Sequence, residues 1–282
     1  MKNYIDKNSE IYPYLLKEIS SPPERLYYDG DISIIENTAI GVVGSRKASK
    51  YGESIAKKIG EKLCKSEITV VSGLAIGIDS AAHLGALDAG GKTIAVLGCG
   101  TDICYPAQNR RLMDRIRKEG LVISEYPDGT PPISYHFPQR NRIISGLCES
   151  TVVVEAGRKS GSLITAEFAA SQGRNVYAVP GNITSFSSFG TNMLIRDGAT
   201  PLIVIDDIIR DLGIEPKADE AAPVKLGADE DKIFKFICRS SEVTVDDISR
   251  ETMMSPEKIN GILTILEIKG LIESSLGKIF VV

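Results

Sequence analysis

From residue 38 onward the chain alternates two kinds of stretch. Short apolar runs, "AIGVV" (39–43), "ITVVS" (68–72), "TIAVL" (93–97), "LVISEY" (121–126), "TVVVEA" (151–156), "NVYAV" (175–179) and "LIVI" (202–205), have the length of strands. Most are rich in Val and Ile and are continuous rather than alternating, the pattern of strands buried on both faces. Between them lie stretches of helical periodicity such as "YGESIAKKIGEKLCK" (51–65) and "SLITAEFAASQG" (162–173). Repetition of this kind predicts an α/β, Rossmann-like, doubly wound domain over 38–213, with a mostly parallel sheet and helices on both faces.

The flanks read differently. Residues 1–37 contain "IYPYLLKEISSPPERLYYDGD", broken by Pro22-Pro23 and by the Asp29-Gly30 turn signal, and predict a short helical lead-in. Residues 214–228 are poor in large apolar side chains and rich in Pro, Ala and charge, as linkers are. Residues 229–282 predict three short helices, the last with Ser255 as N-cap, Pro256 at its first position and Gly270 as its stop. Two short strands around Leu276-Gly277 follow, which completes the plan of a small winged-helix domain.

A chain of 282 residues suits a main domain of roughly 200 residues with a small appendage. No apolar run reaches the ~20 residues of a membrane helix, and the N-terminus has no apolar signal core, so a cytoplasmic protein without membrane association is expected. The five cysteines are odd in number and irregularly spaced, with no CxxC pair, which indicates neither a disulfide framework nor a zinc site. The net charge of −4 argues against a surface coated in positive charge. Its distribution matters more: residues 40–65 hold seven Lys/Arg against two Asp/Glu, whereas residues 229–282 hold seven against ten.

In an open parallel sheet, ligands bind at the carboxyl ends of strands beside helix N-termini. The segments at those places are Gly44-Ser45-Arg46-Lys47, Ser72 to His83 with Gly73 and Gly77, Gly157 to Thr165, and Pro180 to Asn192. All are rich in Gly or Ser, and several open into a helix, where free backbone N–H groups bind anions. A GxGxxG dinucleotide fingerprint is missing after the first strand, and "GRKSGS" is not a Walker A loop. With only His83 and His136, no Ser-His-acid triad and no metal cluster can be nominated. His83 reads as structural or phosphate-contacting rather than as a base, and Asp79 as a local cap or partner. No catalytic residue, metal or cofactor is expected.

A binding surface, by contrast, has its parts. Arg46, Arg140, Arg142 and Lys159 are expected around one groove, where arginine forks suit phosphate oxygens. Phe137, with Tyr135 and Tyr105, offers flat faces for unstacked bases, the combination used to bind single-stranded nucleic acid. Plain core packing is the competing reading of Phe137.

The chain resembles the DNA-processing protein A family, also called Smf, over nearly its whole length. The matching strings are "GVVGSRKAS" (41–49), "VVSGLAIGIDSAAH" (70–83), "AVLGCGTDICYP" (95–106), "HFPQRNRIISGL" (136–147), "VVVEAGRKSGSLITA" (152–166), "AVPGN" (178–182) and "SFGTNMLIRDGA" (188–199). The resemblance implies an extended Rossmann fold that binds single-stranded DNA without strong sequence preference and dimerises. It also implies a role in natural transformation, protecting incoming strands and loading the RecA recombinase. Arg46 matches the family's DNA-contacting arginine. Phe137, Arg140, Asn141 and Arg142 fall in its FPxRNR string, and Ser160, Gly161, Ser162 and Thr165 in its SGSLIT string. Gly44, Ser45, Ser72, Gly73, Gly77, Lys159, Asn182, Gly190, Thr191 and Asn192 complete the expected DNA-binding set. In that set Arg46 and the helix-start amides hold phosphates and Phe137 stacks a base. Arg142 either grips phosphate or braces the loop from within.

Two departures stand out. The helical domain that many members carry at the N-terminus is expected to be absent or reduced to a remnant. The would-be recognition helix, 256–269, offers Lys258 and Lys269 against Glu257 and Glu267, so this module is expected to bind protein rather than duplex DNA. The alternative function is a nucleotide-acting enzyme similar to the lysine-decarboxylase-like phosphoribohydrolases, with Glu155 or Glu167 as its carboxylate. The loop "EAGRKSGSLIT" departs from the PGGxGT string of those enzymes.

Overall fold

A computed structural model describes residues 3–217, 226–240, 243–275 and 278–281. Residues 1–217 form one compact unit and residues 218–282 a second.

The first unit is built on a nine-stranded sheet. Its strands are β1 (Tyr4–Asp6), β2 (Arg25–Gly30), β3 (Ala39–Val43), β4 (Thr69–Ser72), β5 (Thr93–Leu97), β6 (Leu121–Ser124), β7 (Ser150–Val153), β8 (Asn175–Ala178) and β9 (Thr200–Pro201). Their order is β1-β2-β6-β5-β4-β3-β7-β8-β9. From β6 to β9 every pairing is parallel, with Val42 opposite Val152 and Val71 opposite Ile94. The central strands β3, β4, β5, β6 and β7 are buried at every position, which is why their sequences are continuous apolar runs.

Helices cover both faces. One face packs against α1 (Tyr14–Lys17), α5 (His136–Gly146), α6 (Gly161–Ser171) and α7 (Phe189–Arg196), through Leu16, Ile143, Ile144, Ala166 and Leu194. The other packs against α2 (Lys50–Lys65), α3 (Ile78–Asp88) and α8 (Asp206–Asp211), through Ile59, Leu63, Ala82 and Ile208. On that same side α4 (Arg110–Glu119) buries Met113 and Ile116 against Leu97 and Val122. In α2, Ser49 caps the start by accepting from the Gly52 N–H, and Lys62 and Lys65 complement the dipole in the last turn.

Two expectations fail here. The lead-in is not a helical preface: β1 pairs antiparallel with β2, and β2 pairs antiparallel with β6, so residues 4–6 and 25–30 extend the main sheet. Only Tyr14–Lys17 and a single 3-10 turn at Ile32–Glu36 are helical there. Only Leu26 is fully buried in β2, so that strand carries no apolar run to mark it. The run "LIVI" is not a strand. Pairing stops at Pro201, Ile203 is 74% exposed, and the chain turns directly into α8, whose Ile208 and Ile209 take the buried positions instead.

The second unit is a winged helix. It comprises α9 (Ala228–Arg239), α10 (Val245–Thr252), α11 (Pro256–Ile268) and the antiparallel hairpin β10 (Ile272–Ser275) and β11 (Lys278–Val281). Ile233, Ile237, Ile248, Ile259, Leu263 and Leu266 form its core. The predicted hairpin turn at Leu276-Gly277 and most of the predicted linker, 218–225, lie outside the described residues.

Candidate functional site

Strand order reverses between β3 and β7. The chain leaves β3 for α2 on one face and β7 for α6 on the other, so their carboxyl ends part and open a crevice. A groove of about 670 Å³ occupies this place.

The loop after β3 forms one wall. The Ser45 N–H donates to the Glu155 carbonyl (2.8 Å), and the Ser45 carbonyl accepts from the Ile78 N–H (3.3 Å). Gly77 sits at φ 79°, and a Cβ there would come within 2.5 Å of the Ser45 carbonyl oxygen, so only glycine lets the start of α3 approach this loop. The Glu155 carboxylate, buried, accepts from the Ser49 N–H (2.8 Å), the Ser49 hydroxyl (2.5 Å) and the Ser187 hydroxyl (3.2 Å). One side chain thus ties three loops together. Opposite, the start of α6 borders the groove, with Ser160 as N-cap and its hydroxyl 2.8 Å from that of Ser162. The positive end of that helix dipole suits an anion.

Arg46, Lys47 and Lys159 line the groove and are exposed. None has a carboxylate partner among the described residues. The Arg46 guanidinium stands 5.6 Å from the centroid of the Phe137 ring, and that ring lies 5.3 Å from Tyr105. Phe137 is half-buried with its ring in the groove, so plain core packing does not describe it. Cations without counter-charge beside tilted aromatic faces make a surface for a flat, anionic ligand.

Eleven expected residues meet in this groove: Gly44, Ser45, Arg46, Phe137, Arg140, Asn141, Lys159, Ser160, Gly161, Ser162 and Thr165. Their roles divide. Arg140 is 4% exposed, and its Nη1 donates to the carbonyls of Gly73 (2.7 Å) and Val96. Its Nε donates to Asn141 Oδ1 (3.2 Å), and Asn141 Nδ2 to the Gly161 carbonyl (3.2 Å). Burial pushes the Arg140 guanidinium down to about 10, against the opposing pull of the Asp79 carboxylate. Arg140 therefore ties the floor of the groove together, and Asn141 links that floor to α6.

Arg142 lies outside the groove. Its Nη2 donates to Glu125 Oε2 at 2.6 Å, with side chains 16% and 15% exposed, so the pair ties α5 to the loop after β6. Ser72 donates to the Val42 carbonyl between strands (2.6 Å). Gly73 offers its N–H to Asp79 Oδ2 (3.1 Å), which also accepts from Ala75, so Asp79 is the local partner expected of it. Asn182 closes its own turn onto Thr184, Asn192 holds Gly181 through both amide atoms, and Gly190 and Thr191 bond Ala156 and Ser188. None of Ser72, Gly73, Gly77, Asn182, Gly190, Thr191 and Asn192 lines the groove itself.

His83 is buried, with Nδ1 2.6 Å from Thr93 Oγ1. That hydroxyl gives its proton to the Val70 carbonyl (2.8 Å), so Nδ1 is the donor. Burial pushes the imidazole down to about 3. Lys47 and Phe186 are groove residues that the sequence reading did not single out. Both stand in segments it had quoted; what it lacked was the side each faces. Three of the seven cations of residues 40–65 are spent elsewhere: Lys50, Lys57 and Lys62 pair with Glu53, Asp88 and Asp206. In the winged helix, Lys258 and Lys269 pair with Asp229 and Glu230, both at 2.6 Å. All five cysteines are free thiols. Among the described residues no helix is long and apolar enough to cross a membrane.

The molecule is thus a Rossmann-like binding domain with an anion-suited groove at its topological switch point, joined to a winged helix. The chain belongs to the DNA recombination-mediator protein A family, whose model matches residues 3–213, and residues 215–278 match the winged-helix domain of that family. It is 46% identical over 200 residues to the DNA processing protein DprA of Streptococcus pneumoniae, covering 71% of each chain. The X-ray structure of the S. pneumoniae protein aligns with a TM-score of 0.72 at 44% identity, over 74% of each chain. DNA processing protein A of Helicobacter pylori, whose structure was described for its single-stranded DNA binding mode, aligns with a TM-score of 0.68 at 28% identity. That match covers 75% of this chain and 98% of the other.

Proposed function

We propose that this protein is a non-catalytic recombination mediator of the cytoplasm that binds single-stranded DNA in the groove between β3 and β7. The observation that carries the reading is the set of three cations, Arg46, Lys47 and Lys159, without a carboxylate partner among the described residues, in one groove with the Tyr105–Phe137 pair. Phosphates lie on the cations and the start of α6, and a base stacks on Phe137. Membership of the recombination-mediator family and the likeness to a single-strand-binding relative support the same reading. In this role the protein, as a homodimer, covers incoming strands during transformation and passes them to the RecA recombinase.

The buried groups chemically able to move protons are engaged in structure: Glu155 in three hydrogen bonds, Asp79 in two, and His83 with Thr93. Glu167 is exposed on α6 and does not line the groove. These facts favour binding over a nucleotide-cleaving enzyme. The winged helix, with Lys258 of α11 and the C-cap Lys269 both paired to acids, meets a protein partner rather than duplex DNA.

The test is anisotropy of a labelled oligo-dT strand titrated with the full chain at several salt concentrations, beside the matching duplex. Preference for the single strand with affinity falling steeply in salt is the expected result. Equal affinity for duplex, or no binding, overturns the reading.

A further inference from the structure

Phe186 has a position that core packing does not explain. It opens the single 3-10 turn Phe186–Ser188 between β8 and α7, lines the groove, and is 76% exposed. An aromatic ring left in water forgoes the stabilisation of burial, so its placement calls for a reason. The ring is nonetheless seated. A Cβ added at Gly157 would come within 2.7 Å of its Cε1 and 3.0 Å of its Cζ, so the bare backbone of Gly157 is the bed on which one edge of the ring rests.

The turn beneath it is fastened. The Ala156 N–H donates to the Ser187 carbonyl (2.8 Å), the Gly190 N–H to the Ala156 carbonyl (2.6 Å), and the Ser187 hydroxyl to Glu155 (3.2 Å). The ring therefore sits on a rigid support rather than at the tip of a loose loop. Lys159 and Ser160 line the groove beside it, a cation and a hydroxyl within the same wall.

We infer that Phe186 is a second stacking platform, taking a nucleobase of the same strand whose other base lies on Phe137; this rests on the single-strand reading above. Phe137 abuts the loop after β5, where a Cβ at Gly98 would meet its ring at 3.0 Å, whereas Phe186 abuts the loop after β7. Those strands are three places apart in the sheet, or roughly 14 Å at about 4.8 Å per strand. That separation is about four times the 3.4 Å rise of stacked bases. The two rings thus hold different nucleotides and do not sandwich one. Arg46, Lys47 and Lys159 line the same groove and offer charge to the phosphates that join those nucleotides. Stacking needs only a π-face, so the subsite accepts any base.

The chain contains no tryptophan, so Phe186→Trp makes a single-tryptophan protein whose emission reports on this position alone. Two measurements on the full chain are paired: oligo-dT anisotropy, and tryptophan emission during the same titration. Phe186→Ala is expected to weaken binding roughly five- to 150-fold with the salt slope unchanged, because a base contact and not a phosphate contact is lost. Phe186→Trp keeps the affinity, and its emission is quenched as the strand saturates. Ile183→Ala, an equally exposed apolar change on the same loop, leaves affinity unaltered. Wild-type affinity in Phe186→Ala, or emission that ignores a strand seen to bind by anisotropy, overturns this inference while leaving the single-strand reading intact. A wild-type protein that binds no strand overturns both.

Discussion

Arg140 Nη1 donates to the carbonyl of Gly73 at 2.7 Å, and the same nitrogen reaches Val96. An arginine from α5 thereby closes the ends of β4 and β5 beneath the groove. A Cβ at Gly73 would stand 2.5 Å from that nitrogen, so glycine and arginine fit only together. The guanidinium also supplies the positive charge that faces the buried Asp79 carboxylate.

Removing Arg140 leaves two carbonyls without their donor and Asp79 without its compensating charge. Arg140→Ala is therefore expected to lower the unfolding free energy by about 3–5 kcal/mol, the cost of breaking a buried charged cluster. Arg140→Lys restores little of it, because a point ammonium cannot reproduce the planar fork. Denaturant midpoints measured by circular dichroism check this; a loss of strand affinity at unchanged stability contradicts it.

Arg46 and Arg142 separate binding from bracing. Arg46→Ala is expected to keep the fold, weaken single-strand affinity for every sequence, and reduce the salt slope by about one. Arg142→Ala leaves Glu125 half of a broken, mostly buried pair and is expected to cost about 3 kcal/mol of stability, with the slope of the surviving folded protein unaltered. Salt titrations of the two variants side by side distinguish the roles.

Gly77→Ala tests the wall behind Arg46. Its φ of 79° is one that side chains rarely adopt, and the new Cβ would collide with the Ser45 carbonyl oxygen at 2.5 Å. The expected cost is about 1–3 kcal/mol, with strand affinity falling as well because the Ser45-Arg46 turn must move. Thermal melts and anisotropy on one preparation report both.

His83 gives stability a pH dependence of defined sign. Burial lowers its folded pKa from 6.5 to about 3, so between those values the unfolded chain binds a proton that the folded one does not. Stability from this group is fully present above pH 6.5 and is lost as the pH falls towards 3, by at most about 1.4 kcal/mol per pH unit. Burial raises the Asp79 carboxyl and opposes this at the acid end, since the folded state then binds the extra proton. The difference in unfolding free energy between wild type and His83→Gln, followed from pH 7 to 4.5, isolates the histidine. A difference that does not change with pH rules it out.

The sequence by itself determined the layered α/β plan, the winged helix and the neighbourhood of the site. Continuous Val/Ile runs can bury both faces only inside a parallel sheet, and glycine- and serine-rich segments at strand ends fall on one edge of such a sheet whatever the details. Arg46 and Ser160 were legible because local sequence puts them at those ends, and Phe137 because it stands beside the arginines of the 136–142 stretch. Tertiary structure alone decided which way each side chain faces. Arg140 and Arg142 stand two residues apart on α5, about 200° around the helix, and meet Gly73 and Glu125, partners 67 and 17 residues away. Strands β1 and β2 likewise became part of the sheet only because β6 offered an open edge for antiparallel pairing, and Phe186 became a groove residue only because Gly157 left room beneath it. Local pattern records burial and turn chemistry; which distant group meets a given charge or ring is a property of the packed chain.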